Sequence, residues 1–120
     1  MSHIVQIQTE VRNVAAVKAA CDRLRLSPPK PGVFRLFSTN VEGWAVELPG
    51  WRYPAVCDLA TGQVHFDTYE GRWGKPEELD RWLQGYAVEV AKIEARKRGH
   101  SVVEQTLMDG SIKLVIQVGG

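Results

Sequence analysis

Hydrophobic and polar positions towards the end of the chain follow a pattern that predicts a β-hairpin. Two runs rich in valine and isoleucine, residues 101–107 and 112–118, flank the short segment Met108-Asp-Gly-Ser111. Runs of this length and composition, separated by an Asp-Gly pair, are typical of two antiparallel strands. Asp-Gly also tolerates the positive φ that a type I′ turn needs at both central positions. We therefore predict that residues 101–118 form a β-hairpin with a type I′ turn.

Two segments have the spacing of amphipathic helices. Residues 5–12 alternate as a half-buried strand does, and Asn13 then offers a side chain that caps a helix. The apolar residues that follow are spaced by three and four, as on one helix face, and they are Val14, Val17, Cys21 and Leu24. A second and longer stripe runs from Pro76, which suits a first helical turn, to Gly99, which suits a left-handed cap.

The middle of the chain, residues 33–69, is predicted to be a set of short strands. Three prolines between Ser27 and Gly32 exclude a helix or a central strand there. Residues 51–59 and 63–69 flank a turn at residues 60–62, and with Thr61 and Gly62 at its centre Asp58 lies opposite His65. Asp58, His65, Asp67 and Tyr69 then share one face, and a one-residue slip would invert it. The other face would hold Tyr53, Ala55, Cys57, Leu59, Val64 and Phe66.

These elements predict an α+β fold. The expected order is β-α-β-β-β-α-β-β, an antiparallel-rich sheet with two helices packed on one face. A chain of 120 residues is close to the usual size of one domain, so residues 1–120 are taken as a single domain.

Composition narrows the cellular setting and the chemistry. A net charge of +1 gives no overall field that would attract nucleic acid or an anionic membrane. There is no charged start followed by an apolar stretch, and no apolar run approaches the roughly 18 residues of a membrane span. We expect a cytoplasmic protein without membrane association. Cys21 and Cys57 lie in apolar runs outside any CxxC pair, which favours two inert thiols over a disulfide or a reactive site.

Three segments together resemble a known family. Met1-Ser-His3, the run Gly43-Trp-Ala-Val-Glu-Leu-Pro-Gly-Trp-Arg-Tyr-Pro-Ala-Val-Cys-Asp58 and Asp109-Gly-Ser-Ile-Lys-Leu114 are similar to the domain-of-unknown-function 1257 family. That group includes the hypothetical chloroplast reading frame thirty-five proteins of plastids and cyanobacteria. The resemblance implies a bacterial accessory or adaptor protein that serves an ATPase of the AAA type. The 61–73 segment is longer than in the plastid-type pattern, and the Pro28–Gly32 connector differs from it, so no surface built from those loops is carried over.

Tryptophan beside arginine is the most informative chemical pattern. Such neighbours are favoured at the centres of protein interfaces and also stack on bases. The candidate partner-binding residues are Trp44, Trp51, Arg52, Arg72 and Trp73. Packing at the edge of the core is the alternative for the tryptophans, and for Trp82, on the second helix stripe, core packing is expected. The leading hypothesis is a non-enzymatic domain that binds a protein partner or a second copy of itself, without a cofactor.

Two alternative functions remain open from the residues. Arg52 and Arg72, with the basic run Arg96, Lys97 and Arg98, would supply a nucleic-acid surface. Asp58, His65 and Asp67 would supply a weak divalent-metal site for a hydrolase. No motif of known catalytic role is present: GxSxG, a phosphate loop and HxxxH spacing are all missing. No catalytic residue is therefore assigned.

Overall fold

The structure, a computed structural model, describes residues 10–119. Its elements are α1 (Val14–Arg23), β1 (Lys30–Arg35), β2 (Asn40–Val46), β3 (Ala55–Asp58), β4 (Gln63–His65), α2 (Pro76–Lys97), β5 (Ser101–Thr106) and β6 (Ile112–Gln117). The α+β class is confirmed, and the elements follow the predicted order, with four strands in the middle set. Residues 5–9 of the predicted first strand lie outside the described residues, and residues 10–12 are not in a strand. None of the described helices is long and apolar enough to cross a membrane.

Local chemistry explains where α1 begins and where α2 begins and ends. The Asn13 side chain accepts a hydrogen bond from the Ala16 amide at 3.1 Å, which satisfies one of the free N–H groups at the start of α1. Pro76 occupies the first turn of α2, and Glu77 and Glu78 lie at the positive end of its dipole. Gly99, with φ 77°, follows the end of α2 in the predicted left-handed conformation.

The strands form two antiparallel sheets. Strands β1 to β4 are neighbours in chain order, and β5 pairs only with β6 in the part of the chain that the structure describes. In β1, Pro31 and Gly32 occupy an edge strand, the one position in a sheet that tolerates proline well. The sequence predicts a single sheet, whereas the structure has a four-stranded sheet and a separate hairpin.

The two faces of the four-stranded sheet differ. One face supplies Val46, Ala55 and Cys57 to a core shared with both helices, whose largest buried side chain is Trp82, as expected. The other face carries a smaller cluster of Leu36, Ala45 and Val56. All residues of that cluster belong to the sheet and its loops, so none of the described helices covers this face.

Two predicted turns differ from the structure. In the 51–69 hairpin, Asp58 pairs with Gln63 and Val56 pairs with His65, so the predicted Asp58–His65 pairing is wrong by two residues. The Asp58 carboxylate accepts from the amides of Ala60 and Thr61, which stabilises a longer loop than the predicted one. A shift of two residues keeps the strand side chains on their predicted faces. Tyr53, which precedes β3, packs on the opposite face from the one predicted.

The β5–β6 turn is not of type I′. Only Gly110 has a positive φ (87°), and the Leu107 amide donates to the Ser111 carbonyl across three loop residues. This is the three-residue hairpin loop whose last residue is left-handed. The Asp109 carboxylate accepts from the amide and hydroxyl of Ser111, at 2.9 and 2.6 Å. Those bonds lower the pKa of Asp109, and they favour the loop that is observed.

Candidate functional site

The loop that joins β4 to α2 positions Trp73. Amide groups of Gly71 and Trp73 both donate to the Thr68 carbonyl, which folds residues 68–73 into a tight turn. Tyr69 and Glu70 have φ values of 45° and 55°, a conformation that side-chain-bearing residues seldom adopt. The Trp73 carbonyl accepts from the Arg52 amide at 2.8 Å, which ties this turn to the segment before β3.

Four aromatic side chains meet at this turn, and we call them the Trp73 cluster: Phe37, Tyr53, Tyr69 and Trp73. Tyr69 stacks on Trp73, with ring centroids 4.8 Å apart and an interplanar angle of 23°. Phe37 is 5.0 Å from the Trp73 ring, and Tyr53 meets it edge-on at 5.6 Å. These separations are typical of favourable aromatic pairs. Trp73 therefore holds together rings from three separate segments.

Two arginines lie over the cluster. The Arg52 guanidinium is 5.2 Å from the Trp73 ring centroid and 5.7 Å from that of Tyr53. The Arg72 guanidinium is 5.3 Å from the Tyr69 ring. Within residues 10–119 neither arginine makes an ion pair with a carboxylate. Cation–π contact orients both groups while leaving their N–H donors available to a ligand.

The cluster faces solvent. Phe37 is 57% exposed and Tyr69 is 52% exposed, and both arginines are exposed. Trp73 and Tyr53 are half-buried beneath them. Large rings at the surface, backed by others and bordered by guanidinium groups, have the composition of an interface hot spot. Arg52, Arg72 and Trp73 are thus brought together, as three of the five candidate partner-binding residues.

Trp44 and Trp51 lie elsewhere and pack against the protein itself. Trp44, on β2, packs against the main core, with Lys18 Nζ 5.3 Å above its ring. The Trp51 indole N–H donates to the Lys75 carbonyl at 3.0 Å. A Cβ atom at Gly74 would lie 2.6 Å from the Trp51 ring, so the absence of a side chain at Gly74 allows this close packing. Trp51 therefore fixes the far end of the loop that carries Trp73.

The basic run at the end of α2 is remote from the cluster. Trp51 bonds to Lys75, next to the first residue of α2, whereas Arg96, Lys97 and Arg98 lie at the helix's last turn. A helix of 22 residues spans about 33 Å. Lys97 also pairs with Glu94 at 3.5 Å. The structure therefore does not bring Arg52 and Arg72 together with the basic run in one compact patch.

The candidate metal ligands do not converge. Among the described residues, no group of three or more His, Cys, Asp and Glu side chains is arranged to hold a metal ion. Asp58 caps its own loop, and the Asp67 carboxylate accepts from the Tyr69 amide at 3.3 Å. His65 and Asp67 do line an open groove of about 280 Å³ beside Leu36 and Phe66.

Neither cysteine is suited to nucleophilic chemistry. Cys21 and Cys57 are free thiols, and both are buried. Burial, with the neighbouring Cys21 as a smaller cause, raises the pKa of Cys57 to about 12. Burial also raises the pKa of Cys21, whose sulfur accepts from the Trp82 indole at 3.4 Å. Because the thiolate is the reactive form, burial and a raised pKa both disfavour nucleophilic attack by either thiol at neutral pH.

Sequence reasoning missed Phe37, Tyr53 and Tyr69. The available signal was the Arg52-Tyr53 neighbour pair and the placement of Tyr69 three residues before Arg72. These repeat the aromatic–arginine association that singled out the tryptophans. Phe37 lies two residues after Arg35, so this spacing is not specific to the cluster, and only the fold brings Phe37 to Trp73.

The chain matches no protein-family model, no curated protein and no solved structure.

Proposed function

We propose that the chain is a non-enzymatic protein-interaction domain of the accessory or adaptor kind, and that it binds its partner through the Trp73 cluster. The observation that supports this is the exposed aromatic surface beneath Arg52 and Arg72. An ATPase of the AAA type, the partner class implied by the family resemblance, is the first candidate. The resemblance itself stays a prediction.

The chemistry of the cluster defines what the partner must present. Phe37 and Tyr69 offer apolar ring faces, which bind an apolar side chain by excluding water. Arg52 and Arg72 offer guanidinium donors, which bind carboxylates in a bidentate manner. The complementary surface is therefore an apolar side chain with one or two acidic residues beside it.

Charge distribution favours a protein over a nucleic acid as the ligand. Nucleic-acid surfaces neutralise several phosphates with a continuous basic stripe. Here two arginines lie at one end of α2 and the basic run lies at the other, on a chain of net charge +1. A few aromatic and arginine side chains are sufficient for a protein hot spot, because most of an interface contributes little energy.

The test is an affinity pull-down from host lysate with three tagged proteins: the wild type, Phe37→Ala and Phe66→Ala. Phe66 is a matched control, since it is 49% exposed but lies against Trp51 and outside the cluster. We expect a nuclease-resistant partner that Phe37→Ala loses and Phe66→Ala retains. Arg52→Gln should weaken the same complex, because it removes a charged donor that would bind a partner carboxylate. It leaves all four rings of the cluster in place.

Two outcomes would contradict the proposal. A partner that both phenylalanine variants retain would place the binding surface elsewhere. Partners that disappear with nuclease treatment would transfer the function to nucleic-acid binding, and salt-dependent retention of single- or double-stranded oligonucleotides would then be the next measurement.

A further inference from the structure

The outer edge of β6 differs from the other strand edges that the structure describes. The edge strand β1 contains Pro31 and has Lys30 and Arg35 at its ends, and the edge strand β4 has three residues. Proline, charge and shortness are the usual features that prevent edge-to-edge association. Strand β6 has six residues, Ile112–Gln117, with a single charge at Lys113. Strand β6 therefore contains no proline and is not short, and Lys113 is its one charged residue.

The hydrogen-bond phase of the hairpin shows which backbone groups point outward. The Leu107 amide donates to the Ser111 carbonyl, and these residues lie directly opposite each other. Bonded and non-bonded pairs alternate along an antiparallel ladder. The next bonded pairs are therefore Gln105–Lys113 and Val103–Val115. It follows that Ile112, Leu114 and Ile116 direct their N–H and C=O groups away from β5.

The sequence of β6 is self-complementary about Val115. Antiparallel pairing with a second copy across a two-fold axis at this residue places Leu114 opposite Ile116 and Lys113 opposite Gln117. Each apolar residue meets an apolar one, and each polar residue meets a polar one. The outward-facing groups of Leu114 and Ile116 also become a bonded pair in this register. On the exposed face the row Val103–Val115 continues into the same row of the second copy.

Strand β5 does not offer the same match. A two-fold axis at Val103 would place Val102 opposite Glu104. Glu104 is already engaged, since its carboxylate accepts from Arg23 and from Lys92. Exposed apolar residues lie on both strands, Val103 at 52% on β5 and Val115 at 40% and Ile116 at 48% on β6, so it is the pairing match that distinguishes the two edges. We infer that two copies of this chain pair edge to edge through β6 in a two-fold dimer, with a continuous four-stranded sheet ordered β5-β6-β6-β5.

Disulfide trapping tests the register. Val115 and its equivalent in the second copy would form a non-bonded antiparallel pair, with Cα atoms about 4.5 Å apart. That spacing allows a disulfide. Val115→Cys should therefore give a covalent dimer under mild oxidation. Val103→Cys is the matched control, because residues 103 would lie three strand spacings apart, about 14 Å, and should not cross-link. The native Cys21 and Cys57 are buried and do not compete.

A charge substitution tests the same axis without a covalent bond. Val115→Lys would place two ammonium groups directly opposite each other, and we expect the dimer dissociation constant to rise about fivefold. Val103→Lys makes the same change on the same hairpin face, and it should leave the dimer nearly unaffected. Sedimentation of wild type and both variants over a concentration series gives the association constants, and thermal unfolding of each shows that it is folded.

The inference is overturned by a wild-type chain that stays monomeric across that series. It is also overturned if both cysteine variants cross-link equally, or if Val103→Lys dissociates the dimer as strongly as Val115→Lys. Cross-linking of Val115→Cys alone, with dissociation by Val115→Lys alone, establishes pairing about Val115.

Discussion

The guanidinium of Arg23 on α1 donates a hydrogen bond from Nη1 to the Glu104 Oε1 on β5, at 2.7 Å. The second oxygen of Glu104 accepts from Lys92 Nζ of α2 at 2.9 Å. Lys92 also lies 3.7 Å from Glu89, which in turn is 3.6 Å from Arg23. The network joins both helices to the hairpin. Because a two-stranded hairpin is marginally stable alone, this link contributes to holding β5 and β6 in place.

Glu104→Gln should therefore destabilise the domain. The amide keeps the shape of the carboxylate but loses its charge. Arg23 and Lys92, which are mostly buried, then share the single carboxylate of Glu89. We expect the free energy of unfolding to fall by about 1–3 kcal/mol. Urea unfolding measures the change. Glu94→Gln is the control: its pair with Lys97 is exposed, so its loss should cost under about 1 kcal/mol. Equal effects of the two substitutions would contradict a structural role for the network.

Gly74→Ala should disturb the binding surface from below. The added methyl group would overlap the Trp51 ring, at 2.6 Å, so the ring must shift and its bond to the Lys75 carbonyl is strained. Overpacking of this kind costs about 1–3 kcal/mol. Indole fluorescence and thermal unfolding report the change together. Gly50→Ala meets no neighbouring atom and is the comparison, although its φ of 73° carries a strain of about 1 kcal/mol. An unchanged spectrum and unfolding temperature for Gly74→Ala would show that Trp51 does not require a glycine there.

Stability should decline in alkaline solution partly because of Cys57. Burial raises the pKa of Cys57 from an ordinary 9.0 to about 12 in the folded protein. The unfolded chain therefore loses its thiol proton first, and the contribution of this group is complete below pH 9 and is lost between pH 9 and about 12. Between pH 8 and pH 10, the wild type should lose about 1.4 kcal/mol more than Cys57→Ala does. Urea unfolding at the two pH values measures the difference, and parallel losses in both proteins would exclude the thiol as the cause.

Tyr86→Phe should weaken the contact between α2 and residues 12 and 13, which directly precede α1. The buried Tyr86 hydroxyl accepts from the amides of Arg12 and Asn13, at 3.0 and 3.2 Å. Removing it leaves those two amides without that acceptor, at a cost of about 1–3 kcal/mol. Tyr69→Phe, which removes an exposed hydroxyl, should change the free energy of unfolding by under about 0.5 kcal/mol. Chemical denaturation of both variants distinguishes the two positions, and an equal stability would mean that water replaces the Tyr86 hydroxyl.

The elements that were predicted well are those determined by nearby residues. The ends of α2 follow from Pro76 and Gly99, and the bounds of β5 and β6 follow from the pattern around Asp109. The turn type was not predicted, because it depends on how the Asp109 carboxylate bonds to Ser111. Similarly, the β3–β4 register depends on the Asp58 side chain, which caps its own loop. The alternation of apolar and polar residues along a strand does not indicate such a cap.

The candidate site was predicted in part for a related reason. Arg72 and Trp73 are adjacent in the chain, and so are Trp51 and Arg52. Their meeting at one surface requires the segment before β3 to lie against the turn after β4, which is a contact between distant parts of the chain. Phe37 comes from a third segment. No local pattern specifies such a convergence, and it emerges only from the packing of the whole sheet.

The hydrogen bonds that the Arg12 and Asn13 amides donate to Tyr86 also affect when the chain can fold during its synthesis on the ribosome. A nascent chain exposed only as far as residue 75 contains α1 and four strands, but it lacks Trp82 and Tyr86, the largest fully buried side chains. The Val11 amide can reach Gly62 at that stage, whereas the start of α1 and the helix-facing side of the sheet still lack their partners. Productive folding must therefore wait until α2 emerges. Until then the apolar side chains that later pack against α2 stay exposed to water, and such exposed surface is prone to aggregation.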